Sequence, residues 1–437
     1  MQRNLTKGPI TINILLFALP LVFGNLLQQL YNIADTWVVG RFLGADALAA
    51  VGSSYTLMIF LTSILLGLCM GSGAAISMQY GSGEHAKMRQ NIFMSFLLIA
   101  GICLILNILV YIGMDFILWF LRVPANVRPL MKEYLEIIFL GITATFLYNY
   151  FANLLRAVGN SLIPLIFLAI SSIINVILDI VFVLVFHWGV QGAAGATTLS
   201  QYISGIGLTF YAIKKFPELR PKREECCWDK ANLFNILNLS VMTSLQQSIM
   251  NFGILMVQGL VNSFGTVIMA AFAAAVKIDS FAYMPVQDFG NAFSTYVAQN
   301  YGAREKKRIQ LGIRSAGLCS AIFCMIISFL VFLFARPLMQ IFISPKETAI
   351  IQAGMHYLHI EGACYIGIGI LFLLYGYYRA VNQPVMSVVL TIASLGTRVI
   401  LAYVLSATFL GVTGIWLSVP IGWALADIIG IAYYFKR

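Results

Sequence analysis

Two aspartates stand where a carboxylate is costly. Asp35 lies in the first long apolar run, within PLVFGNLLQQLYNIAD at 20–35, and Asp179 lies in the fifth, within SSIINVILDI at 171–180. Acids inside apolar helices face a partner or a watery cavity and mark ion or proton paths. Helical spacing puts Gln28, Tyr31 and Asn32 on the face of Asp35. It puts Asn175, with Ser171 or Ser172, on the face of Asp179. With Thr197 from the sixth run, these groups offer one of two chemistries: hard oxygen ligands for Na⁺ at Asp35, Asn175 and Asp179, or a carboxyl pair that holds one proton. Two carboxylates in one apolar cavity cannot both ionise cheaply. Pro20 stands four turns before Asp35 and removes a backbone hydrogen bond, so the first helix is expected to bend or flex there.

The second half of the chain carries a different set. Its first run repeats a polar face through Thr243, Gln247, Asn251 and Gln258 but has no acid. Charges occur instead as Lys277, Asp279 and Asp288, then Glu361, Arg398 and Asp427 in later runs. Lys277 and Asp288 share a helix face but are roughly 16 Å apart at 1.5 Å per residue, too far to pair along a regular helix. Lys277, Asp279, Glu361 and Arg398 read either as a second coupling or substrate site or as a structural charge network. Asp427, toward the end of its run, reads as structural. Gln28, Tyr31, Asn32, Gln247, Asn251, Met284 and Asp288 are the candidates for a cargo cavity, where methionine and aromatic side chains give a soft surface for hydrophobic cations. Most Met and Phe residues at such spacings simply pack helices or face lipid.

These side chains need long helices to hold them. Of 437 residues, 60% are hydrophobic and 10% charged, and the mean hydropathy is +0.87. No soluble fold buries that much apolar surface, so the expectation is an all-α integral membrane protein. Runs long enough to span a bilayer fall at 14–39, 48–78, 91–114, 134–157, 162–186, 193–213, 232–261, 267–298, 311–335, 349–378, 385–408 and 412–434. They are too long and continuous for barrel strands. The net charge of +10 collects in alternate loops, such as Lys214 to Lys230 and Arg304 to Arg308, with Arg437 at the end. The opposite side holds few cations, among them Arg41, Arg122 and Arg128. That bias sets both termini in the cytoplasm and removes any need for a nucleic-acid partner.

The runs repeat. Leu27-Gln28-Gln29 recurs as Leu245-Gln246-Gln247, Arg156-Ala157-Val158 as Arg379-Ala380-Val381, and Gly189-Val190-Gln191-Gly192 as Gly411-Val412-Thr413-Gly414. The shifts are 218, 223 and 222 residues, in order along the chain, as a tandem duplication requires. Six runs per copy give both copies the same orientation, so the expected architecture is twelve transmembrane helices in two parallel six-helix repeats around a central cavity. The expected division is an N-lobe at 1–213, a cytoplasmic linker at 214–231 and a C-lobe at 232–437. No GxxxxGK[ST] loop, zinc-protease spacing or nucleophile constellation occurs, so the chain does not read as an enzyme or as a holder of a metal or organic cofactor.

Taken together, Pro20, Asp35, Asn175-x-x-x-Asp179, GVQGAAGATTLSQ at 189–201 and VAQNYGA at 297–303 resemble the MATE (multidrug and toxic compound extrusion) transporters, specifically the prokaryotic branch related to the DNA-damage-inducible DinF proteins. The resemblance covers essentially the whole chain. It implies a secondary antiporter, a monomer in the lipid bilayer of a prokaryotic plasma membrane, that exports amphipathic organic cations in exchange for H⁺ or Na⁺. It also implies that Asp35, Asn175, Asp179 and Thr197 form the coupling site and that the first helix bends at Pro20. Some members carry coupling acids in the second lobe, and the seventh run here lacks one. A lipid or oligosaccharide-lipid flippase of the wider superfamily is the alternative. Its usual basic cavity does not match the acid-rich set above.

Overall fold

The computed structural model describes residues 3–120, 123 and 127–436. Arg122 and Arg437 of the charge bias lie outside them. In chain order the helices are α1 (Ile10–Phe42), α2 (Ala45–Ser82), α3 (His85–Phe120), α4 (Arg128–Leu140), α5 (Ile142–Ala157), α6 (Leu162–Asp179) and α7 (Gly189–Lys215). Then follow α8 (Lys230–Asn262), α9 (Thr266–Gly302), α10 (Lys306–Phe342), α11 (Thr348–Gly362), α12 (Tyr365–Ala380), α13 (Pro384–Ser406) and α14 (Val412–Phe435). There is no strand among the described residues.

Two expected spans are broken. α4 and α5 meet at 42° around Gly141, and α11 and α12 meet at 52° around Ala363. At Gly141 a Cβ would stand 2.9 Å from the Ile138 carbonyl and 3.0 Å from Oε1 of Gln201, so glycine lets the chain turn against α7. With each bent pair counted as one span, ten segments are long and apolar enough to cross a membrane. α7 and α8 supply the remaining two of the expected twelve. They are more polar because Thr197, Ser200 and Ser204 of α7, and Ser240, Thr243 and Gln246 of α8, are buried in protein. Several helices outrun the apolar runs, as α3 does from 91–114 to His85–Phe120. Hydropathy reads the thickness of hydrocarbon, whereas backbone hydrogen bonding continues into the polar boundary. One face of α3 is apolar and open, with Leu104, Leu109 and Ile112 from 59% to 80% exposed. In water that face would be unfavourable by about 25 cal/mol per Å²; in lipid it is not.

The helices pack as two units whose division falls inside helices rather than in the linker. One unit is Met1–Asn4 with Leu19–Ser244, and the other is Leu5–Ala18 with Leu245–Arg437. α1 therefore changes unit just before Pro20, and α8 changes unit after Ser244. The segment expected as a connector, 214–231, belongs to the first unit. Phe216 and Leu219 bury in its core, and Arg89 of α3 donates to both carboxylate oxygens of Glu225 at 2.7 and 2.5 Å. The first part of α8 lies backbone to backbone on α2, where a Cβ at Gly71 would stand 2.4 Å from the Leu239 carbonyl. In the second unit, Arg308 donates to the carbonyls of Leu5 and Gly8 and so fixes the lead-in to α1.

Candidate functional site: two buried acidic pockets

α1 and α6 bring Asp35 and Asp179 together in the first unit. Asp179 is wholly inaccessible and Asp35 is 9% exposed, and the two carboxylates lie within electrostatic reach of each other. Asn175, one turn before Asp179, donates from Nδ2 to Oγ1 of Thr197 on α7 at 3.3 Å. Oδ1 of Asp35, both oxygens of Asp179 and Oδ1 of Asn175 are buried without a hydrogen-bond partner. Such oxygens cost free energy unless a proton or cation meets them. The sequence-expected set thus converges, and its donors are the hard oxygens that suit H⁺ or an alkali-metal ion.

Two features of this pocket escaped the sequence. Asp179 ends the regular part of its helix, and the chain continues as a π turn over Ile180–Val185, with the amide of Phe186 bonded to the carbonyl of Val181 at 2.9 Å. Such turns recur at functional sites because the widened ladder re-aims nearby side chains. Tyr134 of α4, buried, faces Asp35, Asp179 and Tyr31 together. Its signal was available only in the repeat, since Tyr134 and Tyr357 are 223 residues apart. Tyr31 and Asn32 are half-buried, and Gln28, although exposed, bonds Tyr31. α1 is helical throughout Ile10–Phe42 with Pro20 inside it, so the carbonyl of Leu16 lacks its usual amide partner.

In the second unit Asp279 of α9 and Glu361 of α11 are buried and lie within reach of Arg398 on α13. Tyr357 donates to Oε2 of Glu361 at 2.8 Å, and Tyr365 of α12 faces both acids. Beyond Tyr357 lies Trp416, edge-on at 4.9 Å and stacked on Phe272 at 5.3 Å. Lys277 is a correction: it is exposed, with Nζ 5.9 Å from the Phe342 ring, and does not join this network. Two residues along a helix is just over half a turn, so Lys277 and Asp279 point opposite ways. Asp427 lies well inside α14 rather than near its end, and is buried. Gln247 and Asp288 are buried, while Asn251 and Met284 are half-buried.

Comparison with known proteins agrees with the two-repeat helical fold. A family model described as MatE matches residues 20–181 and again 240–404, once per repeat. The chain is 31% identical over 436 residues to the "Probable multidrug resistance protein YpnP" of Bacillus subtilis, covering 99% of this chain and 96% of that one. It is 24% identical over 448 residues to an "FAD transporter" of Shewanella oneidensis, covering 99% and 96%. Its fold matches, with a TM-score of 0.93 and 21% identity over 99% of this chain and 97% of the other, a structure described as the outward-facing conformation of a multidrug resistance MATE family transporter of the MOP superfamily. A twelve-span chain matched by one transporter model in each of its repeats is a membrane transport protein, not an enzyme, and it belongs to the MatE family.

Proposed function

We propose that this protein is a secondary multidrug antiporter that exports amphipathic organic cations in exchange for H⁺ or Na⁺, taken up at Asp35 and Asp179. The observation that carries the reading is the pair itself: two buried carboxylates on different helices, with three unpartnered oxygens between them and a name of multidrug resistance on a relative 31% identical over almost the whole chain. Uptake of a proton or Na⁺ there cancels charge that burial makes unfavourable. The difference in free energy between charged and neutralised pocket is what a conformational change of α1 at Pro20 would draw on.

The test loads proteoliposomes with a fluorescent organic cation and imposes a pH gradient or a Na⁺ gradient separately. One gradient is expected to drive export, and Asp35→Asn is expected to fold and to abolish it. Full gradient-driven export by Asp35→Asn would refute the reading. The relative named as an FAD transporter favours including an anionic dinucleotide as a second cargo. Export of that cargo alone would turn the assignment away from cations.

A further inference from the structure

The second pocket has no part in the mechanism above, yet the repeat relates part of its lining to the first. A shift of 223 residues lays α5 on α12 end to end, Ile142–Ala157 on Tyr365–Ala380. The same shift carries Tyr134 to Tyr357, Ile138 to Glu361, Asn175 to Arg398 and Asp179 to Ala402. The two tyrosines behave alike, for Tyr134 faces Asp35 and Asp179 while Tyr357 faces Asp279 and Glu361. Acids enter the second pocket from other positions. Beside that change of acids, the neutral amide of Asn175 gives way to the guanidinium of Arg398.

The charges around that guanidinium can be counted. Asp279 from α9, Glu361 and Tyr357 from α11, Tyr365 from α12 and Arg398 from α13 face one another, and Cys364 faces Glu361. The other polar groups nearby are engaged elsewhere: Lys277 on the Phe342 ring, His359 on Phe332, His356 on Thr413, and Asp427 toward Tyr375. Among the described residues Arg398 is therefore the cation that the two acids face. Oδ1 of Asp279, Oε1 of Glu361 and Nε of Arg398 are buried without hydrogen-bond partners, so this cluster, like the first, holds carboxylate oxygens that call for a positive charge. A guanidinium does not lose its proton in proteins, and in a poorly screened interior it strongly repels a second cation.

We propose that Arg398 is a tethered cation: in the second pocket its guanidinium takes the part that an ion from solution plays in the first, so that this pocket binds no alkali-metal ion, and removing the guanidinium converts it into a monovalent-cation site. The inference rests on reading the first pocket as one that takes its cation from solution. It makes ion coupling one-sided through the guanidinium of Arg398, and it assigns to Asp279 and Glu361 the ligands of a site that the native chain keeps closed. Asparagine at 398 would restore the neutral carbonyl oxygen that the repeat provides at Asn175.

The test uses the full-length protein with Asp35→Asn and Asp179→Asn in every arm, which silences the first pocket, and measures binding of radioactive Na⁺ to purified, detergent-solubilised samples. With Arg398 intact, no saturable Na⁺ binding is expected. Adding Arg398→Asn should produce saturable binding, and adding Asp279→Asn to that variant should abolish it. Because Arg398→Asn leaves two buried acids without their cation, Arg398→Asn with Glu361→Gln is the companion, retaining one acid and expected also to bind Na⁺. Saturable Na⁺ binding with Arg398 intact that Asp279→Asn removes would overturn the proposal. So would a monodisperse Arg398→Asn or companion variant that binds no Na⁺. Failure of the first-pocket reading would show instead in export by Asp35→Asn alone, an arm that this measurement does not contain.

Discussion

Asn175 donates its amide to the hydroxyl of Thr197 at 3.3 Å, tying α6 to α7 one turn before Asp179. Thr197→Val keeps the shape and removes the acceptor, leaving a buried amide unpaired at about 1–3 kcal/mol. We expect a lower melting temperature and a weaker dependence of export on the coupling ion. Thr197→Ser, which keeps the oxygen, should restore both. Unchanged ion dependence in Thr197→Val would show that the bond only holds helices together.

Tyr134 contributes a ring to the apolar core around Ile138 and Val190 and a hydroxyl that faces both acids. Tyr134→Phe separates these roles. The ring is retained, so the melting temperature should stay close to that of the native protein, since volume-conserving core changes usually cost less than about 1.5 kcal/mol. The coupling-ion concentration giving half-maximal export should move. A variant with the native ion dependence would confine Tyr134 to packing.

Helices, the two repeats and the acids were legible in the sequence because each rests on local pattern. Twenty-odd apolar residues mark a span, and an acid inside one stands out whatever surrounds it. What was not legible depends on tertiary geometry. The exchange of α1 and α8 between units at Ala18 and Ser244 leaves no break in the pattern, because each helix runs on through the boundary. The π turn after Asp179 has the same Val and Ile content as an ordinary helix. Lys277 stands beside Asp279 in the sequence, and only the helical rotation between them separates it from the charge network. Tyr134 looked like any aromatic in an apolar run until its contacts gave it a role.

Glu225 lies in the linker, outside the spans. Hydrogen bonds from Arg89 hold its carboxyl down to about 2, with help from the backbone amide of Lys222 at 2.9 Å and against the opposing effect of burial. A folded-state value below the unfolded value near 4.5 contributes stability that is fully present above that unfolded value and is lost as pH falls through about 2. Hydrogen exchange over 217–228 should therefore stay slow from neutral pH to about 5, after allowing for the intrinsic pH dependence of exchange, and its protection should decline toward pH ~2. Arg89→Ala should remove that protection at neutral pH and speed tryptic cleavage after Lys222 and Arg223. Equal cleavage rates in the two proteins would mean that Phe216 and Leu219 alone dock the linker.

Pro20 follows directly on the point where α1 passes from one unit to the other, between Ala18 and Leu19. Its ring leaves the Leu16 carbonyl without an amide donor in an otherwise helical stretch, an arrangement that costs about 3 kcal/mol in a regular helix interior. Pro20→Ala supplies the donor, and the helix gains both a hydrogen bond and a strong helix former. The variant should melt at a higher temperature. If bending at this point is a step in transport, stiffening it should slow export at saturating cargo while leaving the half-saturating cargo concentration nearly unchanged, since Pro20 lies about four turns from Asp35 along α1. Export at the native rate from a variant that is measurably more stable would remove Pro20 from the transport cycle and leave it as a feature of the unit boundary alone.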